Sequence, residues 1–138
     1  EDMKFEKLAK KYKISIINLI APNTKEERTK KILNTQSLFT YLVSVSGTTG
    51  ARNSISEESI EFVKRTRALA GNRKNKNLFV GFGISNAEQA KEFVQAGADG
   101  VIVGSELINI YSRHIDKSGK INADAINEIE EFAKKMML

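Results

Sequence analysis

The chain contains no cysteine. That excludes a disulfide framework, a thiolate metal site and a cysteine nucleophile, and it suits a cytosolic protein. With His114 as the single histidine, no transition-metal cluster is expected either. No apolar run approaches the roughly 20 residues of a membrane helix. The opening Glu1-Asp2-Met3-Lys4 does not resemble a signal peptide. A soluble, cytoplasmic protein without membrane contact is the expectation.

Several chemical motifs are missing one of their parts. Ser44-Val45-Ser46-Gly47 lacks the first glycine of a Gly-X-Ser-X-Gly elbow, and no convincing base accompanies it, so hydrolase chemistry drops out. Gly81-Phe82-Gly83 opens like a dinucleotide fingerprint, but Asn86 stands where the third glycine belongs. The carboxylates fall mainly on helix-like stretches, and none sits convincingly at a strand's C-terminal end as a general acid or base. The net charge of +5 and pI near 9.4 bring nucleic acid into consideration. Lys10-Lys11, Lys30-Lys31, Lys74 with Lys76, and Lys134-Lys135 are scattered, however, mostly near carboxylates. No aromatic residues interleave them as a stacking platform would require. They read as solvated helix faces, with no nucleic-acid partner.

What is present is a repeated strand-then-helix rhythm. Strand-like segments at Ile14–Ile20, Leu38–Ser44, Leu78–Gly81 and Gly100–Val103 alternate with helical patterns, as in successive right-handed parallel units. The near-continuous apolar run from Leu38 to Val43 is that of a strand covered on both faces. Met3–Lys11, with Phe5, Leu8, Ala9 and Tyr12 at helical spacing, reads as a helix whose preceding strand is missing. Thr24 is placed to cap the helix carrying Glu26 and Glu27, and Ser85 or Asn86 to cap the next-to-last unit. Further helices are expected at about 56–70, ended by Gly71-Asn72, and at about 122–137. Residues 44–56, with Gly47, Thr48, Thr49 and Gly50, are long enough for a lid.

These features give an α/β fold of the TIM (β/α)8 barrel family, with residues 1–138 as a single domain supplying the last four βα units. A complete barrel takes roughly 250 residues and binds phosphate in the loops after its seventh and eighth strands. Gly81-Phe82-Gly83-Ile84-Ser85 and Gly104-Ser105 follow the last two strands here. They present backbone N–H groups and a hydroxyl to one anion, or serve only as turn glycines. Tyr41 either points into the barrel near a substrate or fills the core. His114, near the end of a helix, reads as a surface residue. The open strands at 14–20 and 100–103 expose unpaired backbone, so an isolated half is expected to associate with itself.

Four segments in order resemble the tryptophan synthase α-subunit family: Leu19 to Thr24, Tyr41 to Gly50, Gly81 to Ser85, and Gly97 to Ser105. The similarity covers essentially the whole chain as the C-terminal half of that barrel. It implies a lyase of tryptophan biosynthesis that cleaves indole-3-glycerol phosphate to indole and glyceraldehyde 3-phosphate. By this resemblance Gly50, Gly83, Gly104 and Ser105 hold the phosphate. Leu19, Tyr41 and Phe82 line the indole pocket, and Thr49 closes over the site. The family's catalytic glutamate and aspartate belong to the other half of the barrel, so these residues alone are expected to be inactive. No cofactor is implied for this chain. Pyridoxal phosphate belongs to the β subunit with which the family forms a heterotetramer. A different phosphate-binding barrel enzyme, and a non-catalytic half-barrel that binds phosphate and self-associates, are the alternatives.

Overall fold

The computed structural model describes residues 3–35, 37–44, 55–71, 76–81, 83–116 and 118–137. Its centre is a four-stranded parallel sheet in the order β1-β2-β3-β4. The strands are β1 (Asn18–Ile20), β2 (Thr40–Val43), β3 (Leu78–Gly81) and β4 (Gly100–Ile102). Helix α1 (Met3–Lys11) precedes β1, and α2 (Glu26–Leu33), α3 (Glu57–Ala70) and α4 (Ala87–Gln95) follow the first three strands in turn. After β4 come α5 (Ser105–Arg113) and α6 (Asp124–Met136). Sequential strands are spatial neighbours with one helical crossover each, as in a continuous arc of barrel wall.

Alternation along the strands decides which face is buried. Ile20, Leu42 and Val80 are paired side by side across β1, β2 and β3 and are fully buried. With Leu78 they meet Leu33 of α2, Phe62, Val63 and Ala70 of α3, Phe93 of α4 and Ala96 just after it in one core. Burying each large aliphatic or aromatic side chain contributes roughly 1.5–3 kcal/mol, so this sheet-to-helix layer carries the fold. The residues between them, among them Leu19, Tyr41 and Phe79, lie on the opposite face, the inner wall of the barrel.

Helix ends follow local chemistry. The Ser56 hydroxyl caps α3 by accepting from the Ser59 N–H at 3.2 Å, and Gly71 ends the helix at φ 63°. Asn86 Oδ1 accepts from the Gln89 N–H at 2.9 Å, while Gln89 Oε1 reaches back to the Ser85 N–H at 2.8 Å. This reciprocal pair fixes the entry to α4. The last helix starts at Asp124 with Ala123 at its N-cap position, and Asn122 Oδ1, one residue earlier, accepts from the N–H groups of Asp124 and Ala125.

Four expectations need correction. The strand expected at Ile14–Ile20 is reduced to Asn18–Ile20, and that expected at Leu38–Ser44 to Thr40–Val43. Ser37 Oγ lies 2.8 Å from the Ile16 carbonyl and 2.6 Å from the Phe39 carbonyl. A side chain there takes carbonyls that a longer ladder would need. Thr24 does not cap α2, because its Oγ1 accepts from the Ala21 N–H at 3.0 Å and Lys25 is the cap residue. The α1 face does not bury as its spacing suggests: Ala9 is covered, but Phe5 is 60% and Leu8 51% exposed. A helix at the open end of a half-barrel has a neighbour on one side only.

Candidate functional site

The inner wall is organised in register. Leu19, Tyr41, Phe79 and Gly100 form one row across the four strands, and Val43, Gly81 and Ile102 form the next row toward the C-terminal ends. Tyr41 therefore points inward, away from the helix layer. Its phenol lies over Gly81: a methyl group at that glycine would overlap the hydroxyl oxygen and two ring carbons. Phe79 lies over Gly100 in the same way, and its ring meets Phe39 edge-on at 5.0 Å between centroids. Two glycines in the wall thus make room for two aromatic rings that lie flat on it.

Leu19 stands in the Tyr41 row but is 59% exposed, because β1 is an edge strand and its inner face has no opposing wall. The row presents an aliphatic and two aromatic side chains beside one another. Such a surface suits a flat apolar ring.

Beyond the second row, the chain leaves the strands through Gly83 and through Gly104-Ser105. These positions lie on adjacent strand exits, since Gly81 and Ile102 are register partners. Gly83 is exposed with φ 75°, a left-handed conformation that glycine adopts without steric cost. Gly104 and Ser105 are exposed at the start of α5, and no side chain caps that helix. The first N–H groups of a helix have no intrahelical acceptor and carry the positive end of its dipole, which favours an anion. Ser44, at the exit of β2, is turned elsewhere: its N–H and Oγ both bond the Gly81 carbonyl, at 3.1 and 3.0 Å.

Of the residues assigned from the sequence, Leu19, Tyr41, Gly83, Gly104 and Ser105 are brought to the inner wall and its C-terminal rim. Thr49, Gly50 and Phe82 lie outside the described residues, as does most of the segment expected to form a lid. The sequence reading did not assign Phe79 or Gly100 to the site. Period-two alternation from Tyr41 points to Phe39, but only the register between strands reveals Phe79 as its neighbour.

The carboxylates held furthest from their ordinary range lie away from this rim, whose nearest carboxylate among the described residues is Glu106 in the first turn of α5. Glu26 is held below the ordinary carboxylate range by its hydrogen bond to Lys30, and Asp116 by the Ser118 hydroxyl and nearby backbone N–H groups. Glu128 is lowered first by its hydrogen bond to His114 and then by Arg113. All three favour the ionised form, and none belongs to the inner wall. His114 is not the free surface residue that its position suggested. It is mostly buried, with Nε2 2.6 Å from Glu128 Oε2, because α6 packs back against α5.

A family model described as tryptophan synthase alpha chain matches residues 1–137. The tryptophan synthase alpha chain of Thermococcus kodakarensis is 41% identical over 128 residues, covering 93% of this chain and 45% of that relative. That of Methanocaldococcus jannaschii is 45% identical over 112 residues, covering 81% of this chain and 38% of the relative. Among solved structures, a chain of the tryptophan synthase α2β2 complex from Pyrococcus furiosus superposes with a TM-score of 0.78 at 31% identity, covering 98% of this chain and 50% of its own. The chain spans about half the length of the curated relatives it matches.

Proposed function

This chain belongs to the tryptophan synthase alpha chain family, and from that premise we propose that it supplies the substrate-holding half of a carbon–carbon lyase acting on indole-3-glycerol phosphate. The observation that carries the reading is the placement of two unlike surfaces next to each other. An apolar inner wall at Leu19, Tyr41 and Phe79 adjoins exposed Gly83 at the exit of β3 and the start of α5, without a side-chain cap, at the exit of β4. An indole ring joined to a phosphate through a short glycerol chain has the same two unlike ends.

In this reading the rim at Gly83, Gly104 and Ser105 binds the phosphate dianion. The wall orients the indole by flat contact with the Tyr41 ring. Thr49, Gly50 and Phe82 enter on sequence resemblance alone, as closing and lining residues. The carboxylates that transfer protons in cleavage lie in the half of the barrel that this stretch does not span. These residues by themselves therefore bind without turnover. In the whole protein, indole passes to a β subunit that carries pyridoxal phosphate, in a cytoplasmic heterotetramer, while this chain holds no cofactor.

The test is calorimetric binding of a non-cleavable indole-alkyl phosphate, with inorganic phosphate as the control. Ser105→Ala should weaken both ligands about three- to tenfold, the effect of losing one hydrogen bond to a charged group. Tyr41→Leu should weaken the indole ester and leave inorganic phosphate unchanged. Equal loss of both ligands in Tyr41→Leu would reject the division between wall and rim. Release of indole by the 138-residue chain alone would reject the assignment of the catalytic carboxylates to the other half.

A further inference from the structure

The turn through Gly83 is tied at both ends by buried polar side chains. On its β3 side, the Gly81 carbonyl accepts from the Ser44 N–H at 3.1 Å and from the Ser44 hydroxyl at 3.0 Å. The N–H bond continues the sheet ladder and already satisfies that carbonyl. The hydroxyl bond is therefore an addition. Ser44 extends the buried alternation of Thr40 and Leu42 toward the helix layer and is 1% exposed. A hydroxyl in such a layer costs free energy unless it is bonded, and an alanine would fill the place without that cost. On the α4 side, Gln89 is 6% exposed, and its Oε1 accepts from the Ser85 N–H at 2.8 Å and from the Ser85 hydroxyl at 3.3 Å. A capping box needs only a bond to the N-cap residue, which here is Asn86. Gln89 reaches one residue further, toward the turn. Between the tied ends Ile84 is sunk in the core, while Gly83 stands exposed at φ 75°.

We infer that Ser44 and Gln89 are positioning residues for phosphate: they act through the Gly83 backbone, holding it from two sides in the geometry that the anion needs. The inference rests on the phosphate-binding role proposed above for the rim. A backbone N–H has no rotamer of its own to adjust, so its aim depends on what fixes the chain on either side of it. A turn fixed before the anion arrives gives up less conformational freedom on binding, and the complex is tighter for that reason. The two ties come from different elements. Gln89 belongs to the first turn of α4, whereas Ser44 lies 37 residues before Gly81 and joins the exit of β2 to that of β3.

The experiment is calorimetric titration of the whole protein with inorganic phosphate and, separately, with free indole, for the parent, Ser44→Ala, Gln89→Met and Ser105→Ala. Each titration is run well below the melting temperature of the variant. Ser44→Ala and Gln89→Met should each raise the dissociation constant for inorganic phosphate about three- to tenfold, the effect of one hydrogen bond, and leave that for indole at the parent value. The two variants alter different elements, so misfolding of one leaves the other to decide. Side chains that served folding alone would lower the melting temperature and leave both constants unchanged. That result, with phosphate binding still weakened in Ser105→Ala, would overturn the inference while sparing the rim. Parental phosphate affinity in Ser105→Ala would reject the rim as the phosphate site, and the positioning role with it. Parallel loss of phosphate and indole in Ser44→Ala and Gln89→Met would also overturn the inference, because the two side chains would then shape the whole wall.

Discussion

The two ends of the sheet are built from different materials. At the N-terminal ends of the strands, side chains tie backbone to backbone. Arg67 donates from Nε to the Gly97 carbonyl at 2.7 Å and from a terminal nitrogen to the Lys76 carbonyl at 3.3 Å, and it pairs with Asp99. Asp99 in turn accepts from the Leu78 N–H at 2.7 Å, and Asn77 Nδ2 donates to the Leu38 carbonyl at 3.3 Å. At the C-terminal ends, Gly83, Gly104 and Ser105 are exposed and α5 begins without a side-chain cap. One end commits its polar groups to the fold, and the other leaves backbone exposed. Barrels of this kind place stability and chemistry on opposite faces for that reason.

The largest expected effect lies where the two ends meet, at Gly81. Gly81→Ala drives a methyl group into the Tyr41 ring. Overpacking of that kind costs about 1–3 kcal/mol. Urea unfolding should show the loss as a lower midpoint at unchanged slope. In a Tyr41→Val background, where the ring is gone, the same glycine change should cost less than about 0.5 kcal/mol, since the two residues are coupled only by contact. Equal cost in both backgrounds would mean that the phenol does not lie on the glycine.

How much of this was legible in the sequence depends on the range of the interaction concerned. Asn86, offered as a cap beside Ser85, was legible because a cap is settled within a turn of chain. The strand at Leu78–Gly81 was legible because it is central and its burial is dictated from both sides. The strand at Ile14–Ile20 was overestimated because β propensity says nothing of an edge whose partner supplies Ser37 instead of a ladder. Phe79 escaped notice for a similar reason, since a neighbour across strands is fixed by register and not by local pattern. His114 was misjudged because its partner Glu128 lies on a separate helix. The exposed glycine turns at the strand exits were legible because only local backbone is involved there.

A smaller effect should follow from the tied end. Asp99→Ala removes the acceptor for the Leu78 N–H and the partner of Arg67. The exposed part of that pair adds little, so the loss should be about 1–2 kcal/mol, set mainly by the orphaned N–H. Binding of a phosphate ester should be unaffected once the protein is folded. A variant of normal stability with weakened phosphate binding would break the separation between the two ends.

The smallest effect concerns helix α5, which repeats the same polarity along its own length. Its first residues are bare, while Arg113 and His114 at its other end both hold Glu128 of α6, at 2.5 and 2.6 Å. The Glu128 carboxyl is held below the ordinary carboxylate range by these partners, the His114 hydrogen bond first. A carboxyl depressed on folding contributes stability that is complete above its unfolded value and is lost as pH falls through the folded one. Glu128→Gln should therefore melt slightly earlier than the parent at neutral pH. The difference should shrink as the solution is acidified below the ordinary carboxylate range. If α5 is held for the sake of its free end, the same variant should also bind inorganic phosphate more weakly at neutral pH than at the acid limit of the comparison, relative to the parent at each pH. A melting difference that persists unchanged into acid would show that the glutamate acts by packing, and the clamp would then add nothing to the rim it stands behind.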